Sequence, residues 1–250
     1  MSVRWLALSL VAVVVTLAGC AGAAPDPGVV RVAAASSLTT SFTEISAQFE
    51  AANPGTDVEV MFAGSADLLS QLDNGAPSDV FAAADLATMA KAQDTGLVAG
   101  PPQVFATNSM MIAVPPDNPR EIDSLADLTS EDLSVVVCAP IVPCGAATIA
   151  VLDKAGVDLT PVSEETAVAD VRNKVATGQA DAGIVYVTDV RGSAGAVTGV
   201  VIPARDNVTN EYAIAQLQDR GAAELAQQFV EFVVGPRGRE VLADDGFGTP

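Results

Sequence analysis

From Val29 to Leu242, short apolar runs alternate with segments whose apolar residues recur every three or four positions. The first pattern suits buried strands and the second suits helices laid on a sheet. Residues 29–34, 58–63, 80–83, 110–114, 134–138, 182–187, 197–202 and 212–215 read as strands. Between them, Leu38, Phe42, Ile45 and Phe49 mark one helix, and Leu68, Leu69 and Leu72 a second that opens at Gly64-Ser65. Further helices are expected over 85–94, 145–155, 164–176, 225–233 and 238–242. Alternation of this kind predicts the α/β class. The chain carries no internal repeat, heptad array or long polar linker, so two lobes, if present, must be joined by strands.

The chain has no histidine. That removes Ser-His-Asp and Cys-His catalysis and any imidazole metal site. There is no Gly-x-Ser-x-Gly elbow, and Ser36, Ser37 and Ser65 have no Lys three residues on. Glu164-Glu165 and Asp244-Asp245 sit in polar surroundings and read as solvated surface. Neither an enzyme, a cofactor nor a bare metal cation is expected. The formal net charge is −19, which repels nucleic acid and favours solubility.

The N-terminus sets the expected compartment. Arg4, the apolar stretch 6–16 and Leu17-Ala18-Gly19-Cys20 form a charged start, an apolar centre and a small-residue cleavage point. The apolar run is too short to span a bilayer. Leu-Ala-Gly-Cys resembles the lipobox of bacterial lipoproteins. This implies that residues 1–19 are a signal peptide and that acyl chains on Cys20 hold the protein at the cell membrane. Removing 1–19 takes away one Arg and no acid, leaving 231 residues of net charge −20. Residues 20–28 read as a linker. Cys138 and Cys144 remain as a pair outside the cytoplasm, where a disulfide is permitted. Two free cysteines in a core are the other reading.

One local pattern recurs. A strand ends, small residues follow, and a helix starts, at Ser36-Ser37, Gly64-Ser65, Cys144-Gly145 and around Asp170-Val171. Helix starts present unpaired N–H groups and the positive end of the helix dipole, which suits an anion. Singly, each also reads as an ordinary N-cap, and Asp170 in particular looks like a cap of its own helix.

As a set, these segments resemble the molybdate-binding components of ABC transporters. The resemblance is carried by Ala33-Ala34-Ala35-Ser36-Ser37-Leu38-Thr39, by Phe62-Ala63-Gly64-Ser65 with Gln71-Leu72, and by Gly75-Ala76-Pro77-Ser78-Asp79-Val80-Phe81. Val142-Pro143-Cys144-Gly145, Asp170-Val171-Arg172, Gly183-Ile184-Val185-Tyr186, Gly235-Pro236 and Gly246-Phe247 continue it. It covers about residues 30–248 and implies a type II periplasmic-binding-protein fold, with two α/β lobes closing on a ligand. Lobe I would take 29–106 and 206–250, and lobe II 107–205. The implied ligand donors are the hydroxyls and backbone N–H of Ser37 and Ser65, the backbone N–H of Cys144 and Val171, and the Tyr186 hydroxyl. The implied cargo is molybdate, with tungstate also accepted, and the implied partner is an ABC permease. A monomer is expected. Sulfate or phosphate on the same fold is the alternative.

Neutral fixed donors suit a dianion that must be held and later released. Two positions depart from the family pattern. Asp67, where a neutral residue is usual, is expected to face away on its first helical turn. If it faced inward, a protonated anion would gain. Cys144 replaces a small apolar residue, a change that a backbone donor tolerates. A Cys138–Cys144 bridge would fix the loop that carries that donor.

Overall fold

The computed structural model describes residues 28–218 and 222–250. The signal peptide, the lipid site at Cys20 and nearly all of the linker expected from the sequence lie outside the described residues.

The chain runs β1 (Val29–Ala35), α1 (Thr39–Ala52), β2 (Asp57–Ala63), α2 (Ser65–Asp73), β3 (Val80–Ala83), α3 (Leu86–Asp94) and β4 (Gln103–Val114). It continues through β5 (Val135–Cys138), α4 (Pro143–Ala155), β6 (Ser163–Glu165), α5 (Val168–Ala176), β7 (Ala182–Tyr186) and α6 (Val187–Arg191). It ends with β8 (Thr198–Val201), β9 (Thr209–Gln216), α7 (Ala223–Val234) and α8 (Pro236–Asp245). A 3-10 turn, Ser36–Leu38, joins β1 to α1. The α/β class expected from the alternation is the class observed.

The strands follow the order β2-β1-β3-β9-β4-β7-β5-β6, with β8 also paired to β4. Strand β1 is parallel to β2 and β3, and β5 is parallel to β6 and β7. Between these parallel sets run two antiparallel strands. Residues 103–109 of β4 pair with β9, and residues 110–113 pair with β7. A single 12-residue strand therefore belongs to both halves of the sheet. Its first half, which carries Asn108, was not expected as strand, because polar residues interrupt the apolar run there.

Burial follows the same division. One apolar cluster draws its buried residues from 110–202, and two others draw theirs from 30–106 and 212–247. In the second group, Phe42, Phe49, Phe105 and Phe229 form an aromatic nucleus with ring centroids 5.3–6.2 Å apart. The three-and-four spacing of α1 puts Phe42, Ile45 and Phe49 on this buried face. Edge strand β2 alternates exposed and half-buried residues, whereas central β3 is buried throughout, as its all-apolar sequence requires.

Two short elements escaped the pattern. Strand β6 is Ser-Glu-Glu, and its Glu165 pairs with Lys174 of α5. Only three residues long and charged, it reads as part of the helix expected over 164–176. Helix α6 is a single turn with no amphipathic period of its own.

Candidate functional site

Strands β1, β2, β5 and β6 all run parallel within their halves of the sheet, so their following loops gather at one end. Each loop delivers the start of a helix. There the chain encloses a cavity lined by Ser36, Ser37, Gly64, Ser65, Cys144, Thr166, Ala167, Val168 and Tyr186, with Ala35, Ala84, Val142 and Pro143 beside them. The chamber is small, with room for a compact ligand only. None of the lining residues carries a charge.

The N–H inventory explains what this chamber can do. Helix α2 begins at Ser65, and its first turned-back bond is Leu68 N–H to Gly64 O at 2.9 Å. The N–H groups of Ser65 and its two successors are therefore left over. Helix α4 begins at Pro143, which has no N–H, and the N–H groups of Gly145 and Ala146 both donate to Val142 O at 3.0 Å. Cys144 N–H is the remaining first-turn donor. Proline at the first helical position is favoured, so α4 starts at Pro143, two residues ahead of the helix expected over 145–155.

Hydroxyls add to the backbone. Ser65 Oγ accepts from Ala84 N–H at 3.1 Å, which leaves its own proton to donate. Ser37 Oγ lies 2.9 Å from the Tyr212 hydroxyl. The Tyr186 hydroxyl accepts from Asn210 Nδ2 at 2.8 Å. Burial pushes the Tyr186 phenol well above its usual range, and Tyr212, Asp189 and Asp85 push the same way. The phenol stays protonated and acts as a donor.

Sequence comparison agrees with this geometry. Residues 30–248 match the family model described as bacterial extracellular solute-binding protein. The chain belongs to that family. It is 51% identical over 219 residues to the molybdate-binding protein ModA of Mycobacterium bovis, covering 88% of this chain and 84% of the relative. The molybdate-binding protein ModA of Escherichia coli is 30% identical over 257 residues, covering 99% of each. The solved periplasmic molybdate-binding protein of Azotobacter vinelandii superposes with a TM-score of 0.77 at 21% identity, over 88% of this chain and 99% of that one, and shows the shared fold. That fold is the periplasmic-binding-protein fold. Solute-binding proteins of this family are extracytoplasmic, take their cargo without a cofactor and are not enzymes.

Within this solute-binding protein, Ser37, Ser65, Cys144 and Tyr186 all line the cavity. Val171 does not, and this corrects the sequence reading. Helix α5 starts at Val168, with Ala167 as its N-cap. Val171 is the fourth helical residue, so its N–H points back to the carbonyl of Ala167. Its side chain is fully buried, packed where Gly183 leaves room for it. The cavity-facing first position belongs to Val168. Asp170 sits inside the first turn and does not cap. Helix α5 has no side-chain cap, so nothing in the sequence marked its start.

Asp67 is not among the lining residues, and its carboxylate folds back toward Gly64 within the first turn of α2. Cys138 and Cys144 are bonded, with Cα atoms 5.7 Å apart. Two asparagines missed by sequence reasoning stand behind the cavity. Asn108 donates to Thr188 Oγ1 at 2.8 Å and to the Tyr212 hydroxyl at 3.4 Å. Asn210 donates to the Tyr186 hydroxyl and, at 3.3 Å, to Ala84 O.

Proposed function

We propose that this protein captures molybdate, and the nearly isosteric tungstate, at the cell surface and delivers it to an ABC importer. The observation that carries the reading is the convergence of helix starts and neutral hydroxyls on one small uncharged chamber. A tetrahedral dianion needs donors on all sides, and this chamber offers N–H and O–H groups with no carboxylate. The donors assigned are Ser37 and Ser65 through hydroxyl and N–H, Cys144 and Val168 through N–H, and Tyr186 through its hydroxyl. The M. bovis and E. coli relatives named above support molybdate as the cargo.

In this reading residues 29–106 and 206–250 form lobe I and residues 107–205 lobe II. The separate apolar clusters support that division. Lobe I brings Ser37 and Ser65, and lobe II brings Cys144, Val168 and Tyr186, so the anion holds the lobes together. Acyl chains on Cys20 tether the monomer to the membrane where the permease sits.

Calorimetric titration of the full chain with molybdate, tungstate, sulfate and phosphate tests the assignment. Calorimetry suits this chain because its single tryptophan, Trp5, lies in the expected signal peptide and cannot report on the site. Tight binding of molybdate and tungstate, with sulfate and phosphate at least a hundredfold weaker, is expected. Tight sulfate binding without molybdate binding would sink the assignment.

A further inference from the structure

We infer that Asn108 and Asn210, paired across the two strands that cross between the lobes, are positioning residues that aim the hydroxyl protons of the anion cage into the cavity. The inference rests on the anion reading above and explains why that cage donates and does not accept.

Asn108 of β4 and Asn210 of β9 are register partners. The direction of each carboxamide is settled by its neighbours. Asn210 reaches Ala84 O, and a carbonyl only accepts, so the NH2 end lies there. Asn108 takes the Ser109 N–H on its Oδ1 at 3.0 Å, so its other end is the NH2. Both amides therefore present donors to the tyrosines, and both tyrosine hydroxyls must accept.

The consequence propagates by simple counting. A hydroxyl has one proton. Tyr186 accepts from Asn210, and its one proton faces two acceptors, the neighbouring Tyr212 hydroxyl and an anion in the cavity, of which the anion is the stronger. Tyr212 accepts from Asn108, which leaves its proton for Ser37 Oγ 2.9 Å away. Ser37, having accepted, turns its own proton to the cavity. Ser65 accepts from Ala84 N–H, and the carbonyl of the same Ala84 accepts from Asn210. Three cavity hydroxyls thus share one polarity, and chains of this kind reinforce one another. An oxyanion that carries a proton would bring an O–H against these three donors and meet no carboxylate, only the Thr166 carbonyl at the wall. The amides thereby favour the fully deprotonated oxyanion.

Replacing Asn210 by Asp tests this. A carboxylate accepts, so the Tyr186 proton turns away from the cavity and its oxygen becomes an acceptor there. Competition calorimetry at pH 7.5 compares molybdate with phosphate, a tetrahedral anion that is mostly a monoprotonated dianion at that pH. The added negative charge repels both dianions alike, and general loosening weakens both alike, so the ratio isolates the effect. For Asn210→Asp the molybdate-to-phosphate affinity ratio is expected to fall by roughly tenfold or more, about the worth of one hydrogen bond to an ionic group. An unchanged ratio would overturn the inference. Asn210→Ala provides a second reading should the Asp variant not fold. Its molybdate affinity is expected to fall by roughly three- to tenfold while its unfolding midpoint stays close to that of the wild type. Undiminished affinity in that variant would also overturn the inference. Failure of the wild type to bind molybdate would instead strike at the anion reading itself.

Discussion

Asp189 is a carboxylic acid with almost no contact with water, 3% exposed, at the start of α6. Its Oδ2 accepts the Tyr186 N–H at 3.1 Å. Burial raises its pKa from 3.8 to about 7, Arg172 and the Tyr186 N–H oppose the rise, and Asp245 adds to it. The native state therefore keeps a proton that the unfolded chain loses near pH 4. Its contribution to stability is greatest below pH 4 and declines as pH rises to about 7. Asn keeps the acceptor for Tyr186 N–H and cannot ionise. Urea unfolding of Asp189→Asn is expected to show the variant gaining on the wild type between pH 4 and 8, by up to roughly 3–4 kcal/mol. A constant difference across that range would disprove the effect. Asp189 was invisible as a special residue in the sequence, because one Asp among many reads as surface. Ser37, Ser65 and Cys144 were legible because strand end, small residue and helix start coincide at each. Val168 was not, because its helix start has an apolar neighbour where a cap would normally stand.

At the level of elements, the segment from β5 to α4 joins covalent and backbone constraints. Cys138 ends the strand and Cys144 is the second residue of the helix, so their bond spans the turn. Within it Val142 N–H donates to Ala139 O at 3.1 Å, and a Cβ on Gly145 would lie 1.8 Å from that same carbonyl. Cys144 N–H is thus held at the cavity by a bond behind it and a tight turn beside it. Replacing both cysteines by Ala is expected to lower stability by about 2 kcal/mol, the chain-entropy value for so short a loop. It is also expected to raise the dissociation rate of molybdate, since the donor then has to be ordered at each binding event. Stopped-flow displacement separates the two effects. An unchanged dissociation rate with lowered stability would leave the bridge a purely structural role. The long strands and helices were legible because each has enough residues to establish a period. Strand β6 and helix α6 are too short for that and exist through their neighbours: β6 by pairing with β5, α6 by the turn that follows β7.

For the whole molecule, the decisive question is what allows the two proposed lobes to meet. Three glycines mark the approach. A Cβ on Gly192 would lie 2.7 Å from Thr40 Oγ1, and one on Gly246 would lie 2.7 Å from the Arg191 side chain. Both of those neighbours are side chains and not backbone. Gly64 differs, because a Cβ there would lie 2.1 Å from Thr166 O, a backbone carbonyl at the cavity wall. Gly64 has φ −60° and ψ 138°, a conformation open to any residue, so Ala costs little locally. The added methyl is therefore expected to act on closure and not on folding. In Gly64→Ala each lobe keeps its own core, unfolding without ligand shifts by no more than about 0.5 kcal/mol, and the lobes are held apart. Affinity falls in proportion to the lost population of the closed form, on the order of ten- to a hundredfold. Small-angle scattering with molybdate present, at a level that compacts the wild type, should find the variant still expanded. A variant that closes fully and binds as tightly as the wild type would mean that the Thr166 carbonyl yields, and that the lobes meet through some other contact.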